Sequence, residues 1–266
     1  MRAWAAVLVR VLVAVLGGAL GAGCVVEGPL GPPLRDGRVL WQSDLETGDL
    51  SQFKEVAPNL VGANPPAIVT TPTRTHTHAV AFTIPGPAQA GARTELVPTF
   101  RDIEVGDDLF FGFSTYLEPG FPTDTHWQSL VQFTQNIDGA PPLGLYVEDG
   151  SYRIEGGYGS PGGAQPFNKP IHSVATGRWV DWVVHVVFSP DPKVGYVEVW
   201  ADGAPVLERY APPGSTLYPS SSAPISGYVT FGYARLPTIP TPGTVVFDDL
   251  RIGTTAGAVR HIAQTG

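Results

Sequence analysis

From Val39 onward, apolar residues fall either at every second position or in short unbroken runs. Residues 79–84, 109–117, 129–134, 143–147, 152–155, 182–188, 196–201, 228–233 and 244–252 are such segments, and Gly, Pro, Asp or Asn separates them. No stretch sustains the 3.6-residue period of a helix. Many short strands punctuated by turn residues predict a single all-β domain, a sandwich or jelly roll. Segment 182–188 is apolar on both faces apart from His185, which predicts a strand in the middle of a sheet. The run from Gly195 to Gly203 reads as a strand closed by a tight Asp202-Gly203 turn. Segments 212–224 and 236–242 are rich in Pro and predict loops, expected to frame a binding site.

Residues 1–23 do not share this pattern. A short charged start precedes an apolar run over 7–20, and small residues lead to Cys24. That order reads as a signal peptide rather than a membrane span. Cys24 is the only cysteine of the chain, so no internal disulfide explains it. The Gly21-Ala22-Gly23-Cys24 sequence resembles a bacterial lipobox, although Leu20 stands four residues before the cysteine rather than three. The expectation is an exported cell-envelope lipoprotein, acylated on Cys24 and touching the membrane only through that anchor. The alternative is plain secretion. Residues 24–38 read as a tether, 39–256 as the domain and 257–266 as a C-terminal tail.

With 32 Gly, 27 Pro, 10% aromatic and only 15% charged residues, the composition suits strands and turns. A formal charge of −8 argues against a nucleic-acid partner. It also provides no overall attraction for a polyanion, so an acidic ligand needs a local basic site. A monomer is expected.

An ordered series of short motifs changes this picture. Trp41-Gln42-Ser43-Asp44-Leu45-Glu46-Thr47-Gly48-Asp49-Leu50 opens it, followed by Arg93-Thr94-Glu95-Leu96 and Gly112-Phe113-Ser114-Thr115-Tyr116-Leu117. Phe121-Pro122-Thr123-Asp124, Pro141-Pro142-Leu143 and Val147-Glu148-Asp149-Gly150 come next. Gly177-Arg178-Trp179-Val180-Asp181-Trp182 and Phe247-Asp248-Asp249-Leu250-Arg251-Ile252-Gly253 close it. In this order the set resembles the heparin-lyase-I-like polysaccharide lyases, which share a concanavalin-like jelly roll with alginate and glucuronan lyases.

The resemblance implies a groove that holds a uronate-containing polysaccharide, and β-elimination chemistry. Elimination needs a neutraliser for the uronate carboxylate, a base for the C5 proton and an acid for the departing O4. Arg93 and Gln132 fit the neutraliser. Arg93 and Glu95 lie two residues apart and share a strand face, as do Gln132 and Thr134, with Ser129, Val131 and Phe133 expected opposite. Glu95, Thr134, Tyr228 and Arg235 complete the expected substrate-binding set. Arg93 and Glu95 read equally well as a structural ion pair.

The acid–base positions depart from the family pattern. Thr134 stands where the resemblance expects a histidine, in Gln132-Phe133-Thr134. In Thr230-Phe231-Gly232-Tyr233-Ala234-Arg235, Thr230 replaces a lysine and Ala234 a tyrosine, with Tyr233 one residue early. A one-residue slip turns a side chain to the other face unless a bulge restores it. Tyr233 and His126 are the candidate substitutes. His76, His78, His172, His185 and His261 read as surface or hydrogen-bonded histidines, although His76 and His78 share a face that a metal could use. Glu46, Asp49 and Asp248, with Asp249, are candidate ligands of a structural Ca²⁺, expected because first and last strands adjoin in similar folds. Three functions remain open: a polysaccharide-binding protein that no longer cleaves, an active lyase using Tyr233 and His126, and a surface adhesion protein.

Overall fold

The computed structural model describes residues 37–260 except 55–59, 88–90, 124–125, 162, 164 and 222–223. Cys24, the signal peptide and His261 therefore lie outside the described residues. The strands in chain order are β1 (Val39–Ser43), β2 (Leu60–Val61), β3 (Ala67–Val69), β4 (Ala79–Ile84), β5 (Arg93–Leu96), β6 (Ile103–Glu104), β7 (Asp108–Leu117) and β8 (Gln128–Gln135). They continue with β9 (Leu143–Glu148), β10 (Ser151–Gly156), β11 (Phe167–Ser173), β12 (Trp179–Val187), β13 (Tyr196–Ala201), β14 (Ala204–Tyr210), β15 (Ser226–Arg235) and β16 (Gly243–Gly253). One helical turn, α1 (Ala256–Val259), follows.

The strands form two antiparallel sheets. One runs β14-β13-β12-β7-β16-β4-β3, with β1 also paired to β16. The other runs β11-β10-β9-β8-β15-β5-β2, with β6 also paired to β15. The two face each other across one core, a jelly-roll sandwich. β12 lies between β13 and β7, as its doubly apolar sequence predicts, and the first and last strands pair.

Alternation along each strand decides what enters the core. Val180, Trp182, Val184 and Val186 of β12 point inward, and so do Phe111 and Phe113 of β7. Val131 and Phe133 of β8, Tyr152 and Ile154 of β10, and Val229 and Phe231 of β15 meet them from the other sheet. Rings cross the interface edge to face: Phe111–Phe133 centroids are 4.9 Å apart, Phe113–Phe231 5.5 Å and Tyr152–Trp182 4.8 Å. Such geometry adds to area burial because ring edges and faces carry opposite partial charge.

Two hairpins use the same turn chemistry. Asp149-Gly150 between β9 and β10, and Asp202-Gly203 between β13 and β14, have positive φ at both central residues. That left-handed pair matches the twist of the flanking strands, and Asp-Gly adopts it readily. The β9–β10 hairpin matters for function, because it carries Tyr146 and Glu155 on the outer face of the second sheet.

Candidate functional site

On the outer face of the second sheet lies a trough of about 470 Å³. Its floor is built across neighbouring strands. Thr230 of β15 pairs with Gln132 of β8, Gln132 with Gly144 of β9, and Gly144 with Glu155 of β10. These residues form one transverse row. One strand away from Thr230, Glu95 of β5 pairs with Gly232 of β15.

Arg93, Glu95, Gln132, Thr134 and Tyr228 all line this trough. Five of the six substrate-binding candidates thus share one surface. A shallower depression over residues 136–139 shares Arg93, Thr134, Gly139 and Tyr228 and prolongs the trough. An open site that spans several strands suits a polymer better than a small closed ligand.

The sixth candidate, Arg235, does not belong to it. Its side chain is 1% exposed and donates to the carbonyl oxygens of Thr241 (2.7 Å) and Gly86 (2.8 Å). Tyr233 is also sealed, at 0% exposure, and its hydroxyl donates to Gln128 at 2.5 Å while accepting from Arg235. The register of β15 against β8 does shift between Phe231 and Ala234. The irregularity leaves the alternation of β15 intact, however. Val229, Phe231, Tyr233 and Arg235 go inward, and Thr230 and Ala234 face the trough. The bulge therefore does not deliver Tyr233 to the groove, where the catalytic role expected for it would need it. His126 is exposed and stands outside the lining residues, while its neighbour Trp127 is among them.

Ser129 corrects a second expectation. The register of β8 slips between Ser129 and Val131, which turns Ser129 toward Gln132. The Gln132 amide donates to the Ser129 hydroxyl at 2.6 Å, so the two residues share a side rather than opposing each other.

The trough also holds residues that the sequence did not single out. Tyr146 folds over Gly144: a Cβ on Gly144 would sit 2.7 Å from the Tyr146 ring and 2.6 Å from the Val131 carbonyl oxygen. Glycine at 144 therefore makes room for the ring. Burial, followed by the nearby charges of Glu155 and Glu95, holds the Tyr146 hydroxyl well above its ordinary value. It is a neutral hydrogen-bonding group at any physiological pH. Glu155 is 5% exposed, and burial, then the charge of Glu148, pushes its carboxyl up to about 7. Its Oε2 is buried without a hydrogen-bond partner. Glu95 is raised too, by burial, against the charge of Arg93 and a 3.2 Å hydrogen bond from Thr230. Two buried carboxyl groups with raised values in one cleft are the kind of strain that marks functional sites. The period-two pattern around Tyr146 and Glu155 was visible in the sequence, but an alternating polar residue equally describes an ordinary solvated face.

The expected framing loops lie elsewhere. Neither 212–224 nor 236–242 lines the trough among the described residues. The first acts as a buttress. Tyr218 is bound through its backbone to the Gln135 amide, and its hydroxyl accepts from the Gly159 N–H and donates to the Pro141 carbonyl oxygen. It steadies the rim that carries Pro141 and Tyr158.

The expected calcium ligands do not gather. Among the described residues no group of three metal-ligating side chains converges. Glu46 accepts from the Thr77 N–H, the Thr77 hydroxyl and the His78 N–H. Asp248 accepts from the Arg74 N–H at 2.8 Å, and Asp49 closes its own turn on Thr47 and Ser51. Glu46 and Asp248 thus hold one loop, residues 74–78, from two sides, and Asp49 takes no part in it. These carboxylates already accept hydrogen bonds from the protein, so the donor set does not fit the cation site expected of them. Among the described residues His76 and His78 likewise belong to no such group.

A sequence model of the polysaccharide lyase family matches residues 45–232. No curated protein sequence matches. Among solved structures, an endo-β-1,4-glucuronan lyase from the fungus Trichoderma reesei superposes with a TM-score of 0.67 and 18% identity, over 84% of this chain and 98% of that one. The catalytic domain of a glycoside hydrolase family 131 protein from Coprinopsis cinerea gives 0.55 and 13%, over 86% and 100%. A family 7 alginate lyase in complex with product gives 0.52 and 13%, over 70% and 82%. At these identities the structural likeness establishes the jelly-roll fold.

Proposed function

The chain belongs to the polysaccharide lyase family, and we propose that it is a binding member of that family, one that grips a polysaccharide in the trough without cleaving it by β-elimination. One observation carries this reading. Arg93, Glu95, Gln132, Thr134 and Tyr228 converge on one open trough, while the two positions facing it where the family resemblance implies acid–base residues hold Thr134 and Ala234. A threonine hydroxyl without an activating partner is no base near neutral pH, and a methyl group transfers no proton.

Binding has a clear physical basis. Trp127, Tyr146, Tyr158 and Tyr228 offer aromatic faces and hydroxyls along the walls, and rings of this kind pack against the apolar faces of sugars. Arg93 and Gln132 supply donors for the polar edges.

A second reading, an active lyase, is favoured by Glu155. Its carboxyl at about 7 could take a C5 proton, with Tyr146 as the neutral acid beside it. The pair replaces Tyr233 and His126, which the trough does not contain. Incubation with glucuronan, alginate, heparin and pectate, read as ultraviolet absorbance of the new C4–C5 double bond, separates the readings. No absorbance is expected from this protein; a steady rise that Glu155→Gln abolishes would establish the lyase.

We further propose that Cys24 is acylated and tethers the domain to a bacterial envelope membrane. The motif order around Cys24 supports this. Cys24→Ser is expected to move the protein from the membrane fraction to the soluble one.

A further inference from the structure

The charges of the trough bear on which polysaccharide it takes. Glu95, Glu148 and Glu155 line it, and Arg93 is the one basic residue among the described lining residues. Part of the Arg93 charge is spent on the nearby Glu95 carboxyl. Arg153 shares a strand face with Glu155, but its guanidinium is committed. It donates to Asn168 at 2.7 Å and lies 3.9 Å from Glu148 and 3.6 Å from Asp149. Glu148 in turn accepts from the Asn168 amide at 2.7 Å. Glu155 is left with a buried, unpartnered Oε2 at the floor of the trough.

A buried acceptor without a donor is costly, and a ligand that supplies one gains that energy on binding. A sugar hydroxyl is such a donor. A uronate carboxylate is not, and like charges brought together in a poorly solvated site repel strongly. Each unit of a polyuronate carries such a charge, which an ionised Glu155 carboxylate repels.

We infer that the trough selects a neutral, hydroxyl-rich glycan over a polyuronate, with Glu155 Oε2 accepting a hydrogen bond from a sugar hydroxyl and repelling a carboxylate. This rests on the polysaccharide-binding reading and narrows it against the uronate that family resemblance implies. The raised carboxyl of Glu155 supports it, because burial, with the charge of Glu148, outweighs the opposing charge of Arg153. Above about pH 7 the group is ionised and the discrimination is greatest.

The test is a binding comparison at pH 8 and low salt. The probes are neutral hexasaccharides (cellohexaose, xylohexaose and mannohexaose) against hexaglucuronate and an alginate hexamer. The best neutral probe is expected to bind at least tenfold more tightly than either uronate. Glu155→Gln is expected to strengthen uronate binding about tenfold and to weaken neutral binding severalfold. In the unaltered protein, raising the salt concentration should strengthen uronate binding by screening the repulsion. Uronates bound as tightly as the neutral probes, or weakened by salt, would overturn the inference while leaving polysaccharide binding intact. Silence toward both classes would overturn the inference together with the reading beneath it.

Discussion

Glu155 is where stability and function oppose each other most directly. A carboxyl whose folded value lies near 7, above its unfolded value near 4.5, holds its proton more tightly in the native state. The stability tied to it is therefore full below the ordinary carboxylate range and is lost as pH rises through about 7. Asp248, pushed up to about 6 chiefly by burial, acts in the same sense over a lower window. Urea denaturation should show stability falling between about pH 4 and pH 7.5. Glu155→Gln should be more stable than the unaltered protein at pH 8, by about 1–3 kcal/mol, and equal to it near pH 4. A variant less stable at pH 8 would show that the ionised carboxylate has a partner. Arg93→Ala and Gln132→Ala test binding at the same scale. Arg93 is exposed and Gln132 bonds only locally to Ser129, so both variants should keep the melting temperature while weakening glycan binding about five- to thirtyfold. At this scale the sequence was informative where spacing alone set direction. Arg93, Glu95, Gln132 and Thr134 follow the two-residue period to a common face. Tyr146 escaped notice because its place depends on what Gly144 lacks, and Glu155 because only the neighbouring strands reveal its missing partner.

At the scale of elements, β15 decides which family positions are in the trough. Its inner residues lock the end of the strand: Arg235 reaches the carbonyls of Gly86 and Thr241, and Tyr233 packs 5.2 Å from Phe121. Arg235→Ala leaves the Gly86 and Thr241 carbonyls without this donor and opens a cavity at a buried side chain, so a loss of about 3 kcal/mol in denaturant unfolding is expected. An unchanged midpoint would mean that water takes over the guanidinium's bonds. The strand inventory was legible because apolar alternation and Asp-Gly turns are local signals. The pairing of Ser129 with Gln132 was not, because a register slip belongs to two strands at once. The local bonding of the expected calcium ligands was hidden for a related reason. Adjacent end strands do bring Glu46 and Asp248 to one loop, but that loop's own N–H and O–H groups occupy their oxygens.

For the molecule as a whole, the sandwich leaves one sheet face free to carry chemistry while the other face builds the core. Residues facing the trough, such as Thr134 and Ala234, can vary without disturbing Phe133 or Tyr233 beneath them, because neighbouring residues point to opposite sides. On the proposed reading, the trough keeps its grip on a glycan without the reaction. The most direct test of that grip is calorimetric titration of the hexasaccharide probes into the unaltered protein and into the Arg93→Ala/Gln132→Ala double variant. At least one probe should bind the unaltered protein, and the double variant, with its melting temperature unchanged, should lose more than tenfold in affinity. Equal affinity in the two proteins, or no heat from any probe, would contradict a polysaccharide site in this trough.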